Sequence, residues 1–115
     1  MPGETFEPFE VVVVPFPFTD RAATRRRPAL VVSSRGFIDS HDQLILAMIT
    51  SAKGNDWPSD VPLNDWRAAR LSVPCRVRFK LFTLVKTLIV RRVGSLANDD
   101  RESVREALSK CLSSA

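Results

Sequence analysis

The hydrophobic pattern of this chain predicts several short strands followed by one helix. Val11–Val14 is a continuous β-branched run, which is typical of a strand that is buried on both faces. Near the C-terminus, apolar residues recur at the three- and four-residue spacing of an amphipathic helix. This order of elements predicts an α+β fold, mainly β, in which a small, strongly bent sheet or half-open barrel packs against a C-terminal helix.

The predicted elements lie between turn-forming residues. Strands are predicted over 9–18, 29–34, 44–50, 60–63, 75–85 and 87–93. Residues 36–43 are predicted as a polar connection with room for one helical turn. The chain, 1–115, is predicted to form one domain with a loose N-terminal arm at 1–8.

The C-terminal helix is predicted over 99–113. Asn98 or Asp99 can cap it, and Glu102 stands at the capping-box position behind Asp99. The residues of its predicted apolar face are Val104, Ala107, Leu108, Cys111 and Leu112.

Composition narrows the class of protein. The 115 residues are 44% hydrophobic, which is enough for a core in one domain. Cys75 and Cys111 are far apart, so we expect reduced thiols, no zinc site and a cytoplasmic protein. Met1 is not followed by a basic and then apolar segment, so no signal peptide is expected. The longest apolar runs are too short to span a membrane.

Charge is distributed unevenly along the sequence. The formal net charge is +4, but residues 21–38 contain five arginines and no acidic residue. Residues 67–92 are also basic and contain no Asp or Glu. Clusters of one sign indicate an anionic partner more strongly than the net charge does.

Two prolines mark the end of the first predicted strand. Pro15 and Pro17 have the same parity, so both missing N–H groups face the same neighbouring strand. The first strand must therefore leave the sheet or lie at its edge, where Thr19 and Asp20 begin a polar loop.

Three arginines, Arg25, Arg26 and Arg27, end this loop. A guanidinium matches phosphate oxygens in a bidentate way. Pro28 biases Arg27 towards an extended conformation, which puts Arg27 at the start of the second strand. A run of surface arginines is more often a solvated loop, and both interpretations stay open at this point.

Two further polar groups are candidates for nucleic-acid contacts. Thr50 and Ser51 end the third strand, where their hydroxyls suit a phosphate or a ribose but more commonly cap a turn. Arg76, Arg78 and Lys80 share one parity and so recur about every 6–7 Å along a strand. This row either follows a nucleic-acid backbone or is the hydrated face of a half-buried sheet.

Other catalytic signatures are missing from the sequence. His41 is the one histidine and there is no tyrosine, which excludes a two-histidine ribonuclease mechanism. No HExxH motif, phosphate-binding glycine loop or set of metal ligands is found, so we expect metal-independent chemistry without a cofactor. Trp57 and Trp66 suit stacking on bases, although loop tryptophans more often anchor loops or lie at interfaces.

The sequence resembles the MazF/PemK family of toxins from type II toxin–antitoxin systems over nearly its whole length. The resemblance rests on FPFTD at 16–20, which is followed by RPALV at 27–31, and either motif alone is a weak signal. It continues through 44–51, 66–71, 76–84 and 89–96. Many relatives have Gly-Asp where this chain has Phe9-Glu10.

The resemblance implies an SH3-like barrel with a C-terminal helix and a homodimer. It implies a sequence-specific, metal-independent endoribonuclease that cleaves single-stranded RNA, often mRNA, and is neutralised by a small acidic antitoxin. Arg27 and Thr50 match the family's usual catalytic pair. Loops 21–26 and 53–59 are candidates for base recognition. The predicted RNA-binding residues are Thr19, Asp20, Arg25, Arg26, Ser51, Lys53, Arg76, Arg78 and Lys80.

Two other functions remain as alternatives. Gyrase poisons of the CcdB type share this architecture and bind a protein without cleaving RNA. An inactive RNA-binding or regulatory module is the other alternative. Arg27-Pro28 together with Thr50 favours the nuclease, because a gyrase binder needs no such pair.

Overall fold

The structure, a computed structural model, describes residues 5–15 and 25–113. Within these residues the chain forms six strands, two α-helices and one 3₁₀ turn. The elements are β1 (Glu10–Pro15), β2 (Arg26–Val31), α1 (Arg35–His41), β3 (Gln43–Ser51), β4 (Val61–Pro62), β5 (Cys75–Val85), the 3₁₀ turn (Lys86–Leu88), β6 (Arg91–Ser95) and α2 (Asn98–Cys111).

The strands form one antiparallel, curled half-barrel in the order β4-β5-β3-β2-β1-β6, with α2 packed against it. This architecture confirms the predicted fold class. β1 lies inside the sheet, paired with β2 on one side and β6 on the other. At the end of β1, Pro15 pairs with β2 but not with β6. Pro17 lies outside the described residues.

Apolar side chains are buried on both faces of the sheet because several strands are apolar at consecutive positions. The α2 face packs against the C-terminal helix, and its core includes Val11, Leu30, Ile49, Val77 and Val104. The α1 face packs against the short helix, and its core includes Val12, Val14, Ala29, Leu46 and Ile38. The alternation of Val11 and Val12 between the two cores confirms that β1 is buried on both sides.

Irregular pairing curls the sheet. Leu46 pairs with Phe82, and Met48, two residues later in β3, pairs with Arg78, four residues earlier in β5. The register between β1 and β6 also shifts, between Val11 and Val12. Extra residues on one strand of a pair bend and twist that strand, which explains the half-barrel shape.

The segment between β4 and β5 is fastened to α2 and β6. The buried carboxylate of Asp100 accepts hydrogen bonds from the backbone N–H groups of Asn64 (3.0 Å) and Asp65 (2.9 Å). The Ala69 carbonyl lies so close to Gly94 that a Cβ atom there would be 2.7 Å from the carbonyl oxygen. Gly94 therefore permits a backbone contact that any side chain would block.

The first described residues lie against the sheet. Phe6 is buried in the core of the α1 face, and the Arg92 guanidinium lies 4.9 Å from the centroid of its ring. Arg92 also donates a hydrogen bond to the Thr5 carbonyl and pairs with Glu10 at 3.0 Å. This part of the predicted arm is thus held by both apolar and charged contacts.

Phe9 has a left-handed backbone conformation, with a φ of 69°. Bulky residues rarely adopt this conformation, which glycine accepts readily. The Phe9 N–H donates to the Val31 carbonyl (2.7 Å), and the Phe9 carbonyl accepts from the Leu96 N–H (3.0 Å). These two bonds and the burial of the ring hold the conformation.

The element boundaries correct two strand predictions. β2 begins at Arg26 instead of residue 29, because pairing with β1 extends to Pro15 and Arg26. The strand predicted over 87–93 is wrong in its first half, where the chain makes the 3₁₀ turn before β6. The connection after β2 holds more than one helical turn, since α1 has seven residues capped by the Ser34 hydroxyl.

The predicted cap of α2 is wrong. Ala97 is the N-cap residue and makes no side-chain cap, so Asn98 and Asp99 already lie in the first turn. Glu102 pairs with Arg105 instead of forming a capping box. Favourable interaction of first-turn carboxylates with the helix dipole replaces the cap. Within the described residues, neither helix is long and apolar enough to cross a membrane.

The predicted apolar face of α2 is shorter than expected. Val104 is buried, and Ala107 and Leu108 are half-buried, but Cys111 and Leu112 are exposed. Cys75 is buried, and burial raises the pKa of its thiol.

We predict opposite effects of alanine at two glycines. Gly94→Ala should lower the free energy of unfolding by about 1–3 kcal/mol, because the added methyl displaces the Ala69 backbone. Gly36→Ala should raise it by about 0.5–1 kcal/mol, because Gly36 lies in α1 and an added Cβ atom would meet the Ser34 Oγ at an unstrained 4.0 Å. Urea denaturation measures both, and equal stability of the two variants would contradict the contact between Ala69 and Gly94.

Candidate functional site

The seam between β2 and β3 opens at Pro28. The two strands pair at Ala29–Met48, Leu30–Ala47 and Val31–Leu46, and no pair follows Ala29 towards the start of β2. The Val32 N–H donates to the Ile45 carbonyl of β3 at 2.9 Å. Backbone groups of alternate residues point to the same side of a strand, so the N–H that Pro28 lacks would have faced β3. Proline thus ends the ladder on this side while β2 stays paired with β1.

Arg27 and Thr50 lie on either side of this opening. Ala29 pairs with Met48, so continuing the register by two residues brings Arg27 opposite Thr50. Both residues have the parity of the α1 face, and both are half-buried. On its other side Thr50 pairs with Arg76 of β5. The Thr50 hydroxyl is therefore on a strand flanked by two arginine-bearing strands.

Exposed polar residues surround this end of the sheet. Arg25 and Arg26 are exposed at the start of β2, and Ser51 and Lys53 are exposed after Thr50. Lys80 is half-buried in β5. Thr19, Asp20 and the rest of 16–24 lie outside the described residues, so their predicted contacts stay predictions.

The Arg76 side chain binds the backbone of the loop between β3 and β4. Its buried guanidinium donates hydrogen bonds to the carbonyls of Ala52 (3.0 Å), Lys53 (3.2 Å) and Asn55 (2.8 Å). It also pairs with Asp56 at 2.6 Å. One cation therefore binds three carbonyl groups of the loop backbone.

Arg78 and Asp60 form the second part of the same network. The Asp60 carboxylate accepts from Arg78 Nε at 3.1 Å and from Nη2 at 2.8 Å, a bidentate pair. Arg76 Nε is 3.1 Å from Asp60, within ion-pair distance but not aligned as a hydrogen bond. Arg78 also donates to the Asn55 carbonyl at 2.7 Å. Both arginines of β5 thus converge on the loop.

A tight turn completes the loop. The backbone N–H of Trp57 donates to the Asp60 carboxylate at 3.0 Å, and the N–H of Asp60 donates to the Trp57 carbonyl at 3.0 Å. The Arg78 guanidinium lies 4.9 Å from the centroid of the Trp57 ring. We call Arg76, Arg78, Asp60 and Trp57 with the loop backbone that they hold the loop clamp.

The charge state of Asp60 follows from this arrangement. Burial opposes ionisation, but the hydrogen bonds from Arg78 and the Trp57 N–H and the charges of Arg78 and Arg76 outweigh it, so the pKa of Asp60 lies below its usual value. The pair correspondingly raises the pKa of Arg78. Asp60 is therefore a carboxylate at neutral pH.

The loop clamp changes the interpretation of the basic row in β5. The hydrated-face alternative is wrong for Arg76, which is buried, and Arg78 is largely covered by Asp60 and Asn55. Contact of these side chains with RNA stays a prediction. Sequence analysis did not identify Asp60 as a residue of the site. Residues 67–92 contain no Asp or Glu, so a carboxylate that pairs with the arginines of β5 has to come from another segment.

His41 lies far from the candidate site. It is the last residue of α1, and its ring packs against Phe37 with 4.6 Å between centroids. α1 leads into the beginning of β3, whereas Thr50 is at the end, about 25 Å away along the strand. His41 of the same chain is thus not a base at this site. Across the described ranges, 5–15 and 25–113, no three His, Cys, Asp or Glu side chains form a metal-binding group.

Comparison with known proteins identifies relatives of this fold. The profile of the family described as PemK-like, MazF-like toxin of type II toxin-antitoxin system matches residues 7–112. The structure of MazF (Form-I) from Deinococcus radiodurans is 21% identical, with 94% of this chain and 96% of that chain covered and a TM-score of 0.71. No curated protein gives a significant match.

Two mycobacterial structures are also similar. An endoribonuclease in complex with its cognate antitoxin from mycobacterial species is 14% identical, covering 93% of this chain and 92% of that chain, with a TM-score of 0.71. Mycobacterium tuberculosis toxin MazF-mt6 is 18% identical, covering 88% and 93%, with a TM-score of 0.67. At these identities the likeness establishes a shared fold.

We predict that Asp60→Asn destabilises the protein in a pH-dependent way. At pH 7 the free energy of unfolding should fall by about 3 kcal/mol, because the buried Arg76 and the largely covered Arg78 lose the carboxylate that they share. The lowered pKa of Asp60 means that its contribution is complete above the unfolded-state pKa of about 3.9. It is lost as the pH falls through the folded-state pKa. Urea unfolding between pH 7 and pH 3 measures the difference.

Asp56→Asn is the matched control. Asp56 also pairs with Arg76, but its side chain is 75% exposed whereas that of Asp60 is 5% exposed. The control should cost less than about 1 kcal/mol. Equal effects of the two variants at pH 7 would show that burial of the Asp60 pair does not stabilise the loop.

Proposed function

The chain belongs to the PemK-like, MazF-like toxins of type II toxin–antitoxin systems, and we propose that it is an endoribonuclease that cuts single-stranded RNA at a specific sequence. The profile match over residues 7–112 confirms the family resemblance of the sequence. The proposal includes cleavage without a metal ion and mRNA as the substrate. It also treats 1–115 as one toxin domain.

One observation carries this proposal. The β2–β3 ladder stops at Ala29–Met48, and its register, continued by two residues, places Arg27 opposite Thr50 on the same face of the sheet. In this proposal the phosphodiester binds where the two strands no longer pair. Arg27 is half-buried, and water screens a partly buried charge less, so its electrostatic attraction for a bound phosphate is stronger than that of an exposed arginine. Exposed cations at Arg25, Arg26 and Lys53 supply the attraction for the rest of the RNA.

The proposed reaction is attack of the ribose 2′-hydroxyl on the adjacent phosphorus. A bond forms between the 2′-oxygen and phosphorus, and the bond from phosphorus to the 5′-oxygen breaks. The products are a 2′,3′-cyclic phosphate and a 5′-hydroxyl. The 2′-hydroxyl proton is lost and the leaving oxygen gains one, so the reaction consumes no net proton.

Arg27 and Thr50 have different roles in this scheme. The phosphorane transition state carries more negative charge on its oxygens than the substrate does. A fixed guanidinium at Arg27 binds that state more tightly than the ground state, which is the condition for a faster reaction. Thr50 holds a phosphoryl oxygen or orients the 2′-hydroxyl. A guanidinium keeps its charge at physiological pH, so the proposed role of Arg27 is electrostatic.

Partners follow from the same proposal. We propose a homodimer that is neutralised by a small antitoxin with an acidic, partly hydrophobic segment. Such a segment complements the cations around Arg27 and competes with RNA for them. An RNA target and an antitoxin partner imply action in the cytoplasm.

We predict that Arg27→Ala and Thr50→Ala abolish RNA cleavage. Purified protein should cut labelled single-stranded RNA in the presence of EDTA at defined sites. Arg27→Ala should lower kcat by at least about 100-fold, the usual effect of removing a charge-stabilising donor. Arg26→Ala is the matched control, because its exposed side chain should mainly affect KM. Gel analysis of the fragments and of their 2′,3′-cyclic ends gives both the rates and the chemistry.

Other results would favour another function. Intact RNA across many sequences, with EDTA or with added Mg²⁺, would rule out the nuclease and favour a protein-binding toxin. Salt-sensitive RNA binding without cleavage would favour an RNA-binding module. Cleavage that survives in Arg27→Ala would place the reaction elsewhere.

A further inference from the structure

Trp57 is a large aromatic residue that the fold leaves open to solvent. Its exposed fraction is 41%, although apolar residues of this size are usually largely buried. Neither core cluster includes it. Burial therefore does not explain this tryptophan, unlike the one at position 66.

The loop clamp fixes the position of Trp57. Its backbone N–H and carbonyl are both bonded to Asp60, and the Asp60 carboxylate is bonded to Arg78. The Arg78 guanidinium also lies against the indole ring, 4.9 Å from the centroid. A cation over an aromatic ring is attracted by its π electrons, so the ring has a preferred orientation. An exposed ring that is held in this way is ready to stack without losing much conformational freedom.

The ring lies close to the candidate active site. Thr50 pairs with Arg76, and Arg78, which contacts Trp57, is two residues further along β5 on the same face. Two residues of a strand span about 6–7 Å. Trp57 therefore lies beside β5, one strand beyond Thr50, on the face of the sheet that carries Arg27 and Thr50.

We propose that Trp57 is a base-stacking residue that determines which base is accepted on the β5 side of the cleaved phosphate, with Arg76, Arg78 and Asp60 as its positioning residues. The proposal rests on the proposed nuclease function and deepens it. Exposed aromatic rings bind single-stranded bases by stacking, and splayed bases are how proteins recognise single-stranded RNA. A purine, having the larger ring system, should stack on Trp57 better than a pyrimidine.

Trp66 provides a built-in comparison. It also has an arginine against its ring, with Arg67 4.4 Å from the centroid. However, Trp66 is half-buried and packs against the core of the α2 face, opposite to the face of Arg27 and Thr50. It has the same chemistry as Trp57 but anchors a loop to the core.

The experiment uses the two tryptophans as separate fluorescent reporters. The chain contains two tryptophans and no tyrosine, so Trp66→Phe leaves Trp57 as the main emitter, and Trp57→Phe leaves Trp66. The probe is the preferred RNA with a 2′-deoxyribose at the cleavage site, which binds but cannot react. Stacking should quench the emission of Trp57 by at least half and leave that of Trp66 nearly unchanged. An abasic nucleotide at one position of the RNA should remove the quenching.

A thermodynamic cycle separates stacking from a structural role. Trp57→Leu should lower kcat/KM by about tenfold or more on the intact RNA, in line with the loss of one stacked base. The abasic RNA should lower kcat/KM of the wild-type protein by a similar factor. Combining the two changes should give little further loss, because they remove the same contact. Trp57→Phe should retain most of the activity.

Each alternative result has a clear meaning. Bound RNA that leaves Trp57 emission unchanged, or losses that multiply in the cycle, would overturn the stacking proposal while the nuclease function stands. Failure of every single-stranded RNA to bind or to be cleaved would overturn both proposals. An unchanged urea midpoint in Trp57→Leu would show that its effect is not a loss of folding.

Discussion

The whole structure depends on one constraint: a single curled sheet has to bury apolar side chains on both of its faces. Val11 and Val12 are adjacent in sequence and lie in different cores. With both faces occupied over most of the sheet, a place where strand pairing ends is suited to binding a polar ligand. Pro28 creates such a place by removing a hydrogen-bond donor that would have faced β3. The open seam beside Arg27 and Thr50 is therefore a consequence of backbone chemistry as much as of side-chain choice.

The same constraint explains why two arginines of β5 are covered. A guanidinium at a buried strand position needs acceptors, and water is largely excluded from it. The loop between β3 and β4 supplies backbone carbonyls and the Asp60 carboxylate. Because the cations come from a rigid strand, the loop adapts to them and not the reverse. A loop of nine residues, which in isolation would sample many conformations, is thereby held close to one.

Much of the fold could be predicted from the sequence, because apolar patterning reflects burial directly. The bounds of β5 agree with the prediction, and those of β3 differ by one residue at each end. The predicted cap of α2 was wrong because the helix begins earlier, directly after Ala97. The role of Asp100 was missed because it bonds the distant backbone of Asn64 and Asp65, and local patterns do not reveal such a partner. The turn at Lys86–Leu88 was missed for a similar reason. The pairing of β5 with β3 ends at Val85, and the pairing of β6 with β1 begins at Arg91, so distant strands set the position of the turn.

The site was predictable in part. Arg27 was singled out by the proline that follows it, and that local signal does not depend on the rest of the fold. The roles of Arg76 and Arg78 were not predictable, because an alternating basic row has the same sequence pattern whether water, RNA or a loop lies above it. Only three-dimensional pairing brings Asp60 to Arg78, 18 residues later in the chain.

The strand order also has a consequence for the synthesis of the protein. β1 is made first, yet one of its two neighbours is β6, the last strand of the chain. During translation one edge of β1 stays unpaired until residues 91–95 have left the ribosome. Pairings between distant segments form late, because the intervening chain must close first. The loop clamp likewise waits for β5, so a partly synthesised chain holds Arg27 and Thr50 on β2 and β3 before β5 and β6 complete the sheet around them.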